Sequence, residues 1–164
     1  MKIYKVLSIL LGIVLISSCK KEEFNIGTPY SKVKGISAHW VLKEVWQADE
    51  IAETPPLNVS SVMVGDVPST LSFTDQGRNY SMDPGSSVQY IPVSGTWSFD
   101  DEEYPTQVVL NNNGENYTLH LKKPVRELVD TTLEFQYIRP IGNCVSLSGG
   151  KTGAVSYIYK YIRQ

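Results

Sequence analysis

The chain has 164 residues, 41% of them apolar and 20% charged, with a formal net charge of −2. That length supports one domain around a single core. A mildly acidic chain without a basic stripe lacks the electrostatic footprint of a nucleic-acid binder, and two cysteines are too few for a disulfide framework.

Residues 1–18 open with Lys2 and Lys5, continue as an apolar run over 6–16 and end in Ser17 and Ser18. A basic head, a short apolar stretch and small residues at its end predict an export signal, too short to span a bilayer as a helix. Ile16-Ser17-Ser18-Cys19 resembles the lipobox of bacterial lipoproteins. The resemblance implies cleavage before Cys19 and a lipid on its thiol, with more than one acyl chain, as stable anchoring requires. Lys20-Lys21-Glu22-Glu23 resembles the export tag of Bacteroidota surface lipoproteins. That implies an outer-membrane protein facing outward; read only as a charged linker, the same segment leaves it facing the periplasm.

Loss of residues 1–18 leaves 146 residues and a net charge of −4, since Lys2 and Lys5 go with them. With Cys19 lipidated, Cys144 has no disulfide partner. Its neighbours Gly142, Asn143, Val145 and Ser146 supply no base, so it reads as a small buried residue. Residues 19–34, with Gly27 and Pro29, read as a flexible tether, and the domain is expected over 35–164.

From Trp40 the pattern has a period of two. Trp40, Leu42, Glu44 and Trp46 fall on one face, and Val41, Lys43 and Val45 on the other. A helix over 38–51 is the second reading. Residues 53–66 hold Pro55, Pro56 and Gly65 and predict a loop, with a short strand at 59–64. Leu71 and Phe73 alternate with polar residues up to Asp75-Gln76-Gly77, a tight turn with Gly77 left-handed, and Tyr80 and Met82 resume the apolar side. Another turn follows at 83–87. Trp97 and Phe99, then Val108 and Leu110, mark two further strands separated by the acidic loop 100–104. Asn111-Asn112-Asn113-Gly114 is a turn signal before Tyr117, Leu119 and Leu121. Residues 124–130 interrupt, with room for one helical turn. Leu133, Phe135 and Tyr137 form a strand, 140–153 a glycine-rich loop, and Tyr157, Tyr159 and Tyr161 the last strand, its tyrosines candidates for a cavity mouth or an outer face.

About eight short alternating strands joined by local turns predict an all-β protein, an antiparallel up-and-down barrel. Closure removes the bare edges an open sheet would leave. Gly95-Thr96-Trp97-Ser98-Phe99-Asp100, Tyr104-Pro105, the strand over 133–139 and Ser156-Tyr157-Ile158-Tyr159-Lys160 resemble the lipocalin-like domains of Bacteroidota lipoproteins, a family of uncharacterised function. The resemblance covers residues 35–164.

No catalytic constellation is visible. His39 and His120 stand among polar strand residues without a ligand-spaced partner. Asp100-Asp101-Glu102-Glu103 lacks the spacing of a calcium loop and reads as a solvated loop. No phosphate loop or nucleophile elbow occurs. The expectation is therefore no enzyme, no metal and no cofactor. Two readings remain. In the first, Trp40, Trp46, Phe73, Tyr80, Trp97, Phe135 and Tyr137 line a barrel pocket for a small apolar ligand or a glycan. In the second, the barrel is filled and the protein acts through its outer surface on an envelope protein partner. The anchor has its own test: Cys19→Ala should move the protein from the membrane fraction to the soluble fraction of native cells. Unchanged membrane retention would contradict lipidation at Cys19.

Overall fold

The computed structural model describes residues 31–50, 52, 54–125, 131–140 and 154–164. Cys19, Cys144 and the residues after Val125 expected to hold a helical turn lie outside them. The described chain runs α1 (Lys32–Ile36), β1 (His39–Asp49), β2 (Leu57–Asn58), α2 (Ser60–Met63), β3 (Thr70–Phe73), β4 (Asn79–Asp83), β5 (Ser94–Phe99), β6 (Gln107–Asn112), β7 (Glu115–Leu121), β8 (Thr132–Pro140) and β9 (Ala154–Arg163).

The strands form one antiparallel sheet in the order β2-β1-β3-β4-β5-β6-β7-β8-β9, closed by pairing of β1 with β9. β1 and β3 to β9 make an eight-stranded up-and-down barrel. β3 borders only the start of β1, and β2 takes its place beside Trp46 and Gln47. The expected turns appear. Gly77 sits at φ +74°, and Asn113 and Gly114, at φ +52° and +89°, join β6 to β7. Gly95 is needed for another reason: a Cβ there would sit 2.1 Å from the Asn111 carbonyl oxygen and 2.9 Å from Tyr80 Cε1. The chain therefore passes closely between β6 and the Tyr80 ring.

The inward side chains interdigitate in a single core. Phe73 meets Trp97 edge-on at 5.5 Å, Trp97 meets Phe99 at 5.2 Å, and Phe135 lies 5.5 Å from both Tyr159 and Tyr161. Tyr157, Tyr159 and Tyr161 all point inward and are buried, not at an outer face. Trp40 anchors one end: its indole Nε1–H donates to the Ile36 carbonyl at 2.8 Å, and the Arg163 guanidinium lies 5.2 Å from its ring centre.

Three expectations are corrected. The domain begins before residue 35, because Ser31 caps α1 by accepting from the Lys34 N–H and Ile36 is fully buried against Trp40. The short strand expected at 59–64 is the helix α2, preceded by the two-residue β2. Asn58 Oδ1 accepts the Ser60 N–H, and the Ser60 hydroxyl accepts from the Val45 N–H at 2.9 Å and donates to its carbonyl, standing in for a strand neighbour. The third correction is in β1 itself, which is a strand and not the helix of the second reading. Its register against β9 slips between Leu42, opposite Tyr161, and Glu44, opposite Lys160. The extra residue is a β-bulge at Lys43. Beyond it the alternation reverses: Trp40, Leu42 and Val45 point into the core, whereas Glu44 and Trp46 point out. Unbroken alternation would have buried the Glu44 carboxylate among apolar side chains, and the bulge removes that cost.

The two outward and inward tryptophans should therefore respond differently. Trp40→Ala should lower unfolding stability by about 3–5 kcal/mol, and Trp46→Ala by no more than about 1 kcal/mol, measured by urea titration. Equal losses would contradict the bulge.

Candidate functional site: the outer face around Trp46

The seven aromatic residues expected to line a pocket do not form one site. Trp40, Phe73, Tyr80, Trp97 and Phe135 come together inside the barrel, none more than 4% exposed, and Trp40 has no accessible surface at all. These rings pack in the core cluster. Burial, with the neighbouring Tyr117, pushes the Tyr80 phenol up to about 12, and its hydroxyl has no hydrogen-bond partner among the described residues. Tyr137 is partly buried against the same core. Trp46 is separate from all of them, on the outer face.

Around Trp46 the surface is shaped and polar. Its Nε1–H donates to Glu44 Oε2 at 2.9 Å. Lys160 Nζ lies 3.3 Å from the same carboxylate oxygen and 5.0 Å from the Trp46 ring centre. The indole hydrogen bond and Lys160 together hold the Glu44 carboxyl below the usual range against a small desolvation effect. A groove of about 250 Å³ runs between Trp46, Pro56, Ile158, Lys122, Glu134 and Lys160. A second cleft, about 380 Å³, lies at the α1 end between Lys32, the 103–106 loop, Pro124 and Val125.

The barrel register places the Trp46 groove within a longer pattern. Gln107 pairs with His120, His120 with Gln136, Gln136 with Ile158, Ile158 with Trp46, and Trp46 with Asn58. Gln107, His120, Gln136, Ile158 and Trp46 occupy outward positions, because their chain neighbours Val108, Leu119, Phe135, Tyr157 and Val45 point inward, and Asn58 is exposed. They make one row that curves with the barrel wall across β6, β7, β8, β9, β1 and β2. The next row is charged and largely self-compensated, with Lys160 on Glu44 and Lys123 Nζ 2.5 Å from Glu134 Oε1. Sequence reading noted His120 and Trp46 singly but could not assemble the row, since its members are scattered from Trp46 to Ile158 and only non-local register aligns them.

His39 and the acidic loop have structural partners. His39 Nδ1 lies 2.7 Å from the Ser72 hydroxyl. Asp100 Oδ1 accepts the Thr106 and Gln107 N–H groups and its Oδ2 accepts the Thr106 hydroxyl, and Asp101 accepts from the Glu103 and Tyr104 N–H groups. The acidic loop is thus folded on its own carboxylates. Among the described residues no three His, Cys, Asp or Glu side chains converge as metal ligands.

Compared with known proteins, the chain matches no family model, no curated sequence and no solved structure.

The acidic loop gives a pH test. Desolvation opposes ionisation of Asp100, but the bonds from the Thr106 hydroxyl and from the Gln107, Thr106 and Asp101 N–H groups outweigh it and bring the carboxyl to about 2. That is below its value in an unfolded chain, so the stabilisation is complete above about pH 4 and is lost as pH falls towards 2. Asp100→Asn should cost about 1 kcal/mol at neutral pH, discounted for exposure. The gap from wild type should close between about pH 4 and 2. A gap independent of pH would contradict this role.

Proposed function

We propose that the protein is a non-catalytic, lipid-anchored envelope protein that works through the outer surface of a filled barrel. The observation that carries this reading is the division of its aromatic residues. The inward rings are at most 4% exposed, whereas the β1 bulge turns Trp46 out into a groove. The lipobox and the charged segment after Cys19 support attachment to the outer membrane, facing outward. The closed barrel is compatible with the lipocalin-like resemblance of residues 35–164. It is equally compatible with a binding or a structural role, and burial of the inward aromatic rings favours the outer surface over an interior ligand. Engagement of Asp100 and Asp101 within their own loop favours a role without catalysis.

Native mass spectrometry of residues 20–164, after incubation with an extract of the native envelope, tests this reading. The expected result is no small-molecule adduct that depends on the inward residues. A reproducible small-molecule adduct lost in a variant of the inward residues would contradict a filled barrel.

A further inference from the structure

We infer that the outward row Gln107, His120, Gln136, Ile158, Trp46 and Asn58 is a binding site for an uncharged oligosaccharide laid across the strands. This inference rests on the reading that the outer face is the working surface, and it names the class of partner. Strands lie about 4.8 Å apart, so six strands give a track of about 24 Å. Gln107 carries a side-chain amide, both donor and acceptor, and His120 in its neutral form likewise offers one of each, whereas the Gln136 amide and Asn58 Oδ1 are already bonded within the protein. A donor together with an acceptor is the hydrogen-bonding character of a sugar hydroxyl. Trp46 and Ile158, beside each other in the row, offer an apolar wall for the C–H faces of a pyranose ring.

Charge narrows the class. The charges beside the track offset one another: Glu44 pairs with Lys160 and Glu134 with Lys123, while Lys122 and Glu50 meet on the Gln136 amide. Gln136 is held from three sides: its amide donates to Glu50 Oε1 and Ser156 Oγ, and its carbonyl accepts from Lys122 Nζ at 3.2 Å. No net positive field remains there to select an acidic glycan or a phosphate. By contrast, the Gln107 amide and the His120 ring have no side-chain hydrogen-bond partner among the described residues, although both are half-buried. They are polar groups free to take a ligand.

The test is calorimetric titration of residues 20–164 with neutral gluco-, manno- and galacto-configured hexasaccharides. A sulfated hexasaccharide is the anionic control. At least one neutral hexasaccharide should bind, with an affinity insensitive to salt. Trp46→Ala should weaken it about tenfold or more, consistent with loss of an aromatic contact of ~1.4 kcal/mol. His120→Ala and Gln107→Ala should each weaken it severalfold, and Asn113→Gly, in the turn at the far end of β6 and β7, should leave it unchanged. Melting curves confirm that each variant is folded. A parallel titration measures binding of the domain to native envelopes before and after periodate oxidation of their sugars. Envelope binding that needs Trp46 and is lost on oxidation supports the inference. Envelope binding that needs Trp46 but survives oxidation, with no hexasaccharide bound, overturns the glycan and leaves a protein partner on the same face. No Trp46-dependent binding of either kind overturns both the inference and the outer-surface reading.

Discussion

The ladder between β1 and β9 closes the barrel, and the rest of the structure depends on it. Without it the sheet would end in two bare edges, each a row of unpaired backbone groups. The ladder runs nearly the whole length of both strands, from Trp40 opposite Arg163 to Asp49 opposite Val155. It tolerates one irregularity, at Lys43, and that irregularity decides which residues face water. Before it, Trp40 and Leu42 enter the core. After it, Val45 enters and Trp46 leaves. Ser60 then supplies hydrogen bonds to the Val45 backbone where β3 no longer reaches. Fold and surface are therefore coupled at one strand: the device that keeps Glu44 out of the core also presents Trp46 to the outside.

Much of the architecture was legible from local pattern. Alternation in Leu71–Phe73, Trp97–Phe99, Val108–Leu110 and Leu133–Tyr137 follows the inward face, because each segment is a regular strand with one buried side. Gly77 and Asn113-Gly114 are turn signals with a steric basis, and both adopt the left-handed backbone. The failures have physical causes too. A bulge adds one residue without altering composition, so β1 read as continuous alternation placed Trp46 beside Trp40. The clue was Glu44, a carboxylate at a position that alternation assigned to the core. Helix α1 has only five residues, too few for a helical period to register, and it forms because Ile36 packs under Trp40.

The candidate site was less legible than the fold, for a related reason. Core positions announce themselves through hydrophobicity, one residue at a time. The outward row is made of ordinary strand polar residues whose only distinction is alignment across six strands. Alignment is a property of register, fixed by the inward face of each strand and by the turns between them. The same inward packing thus organises the surface. Trp40, Phe73, Tyr80, Trp97 and Phe135 set the register from inside, and Gln107, His120, Gln136, Ile158 and Trp46 inherit it outside.

The most direct test of a working outer face is hydroxyl-radical footprinting of the protein on its native cells, compared with the isolated domain. The account predicts that Trp46 and His120 oxidise readily in the isolated domain and are protected on the cell, while buried Trp40 and Trp97 stay unreactive in both. Equal oxidation of Trp46 in the two states would mean that nothing covers this face in its natural setting, and would contradict the account.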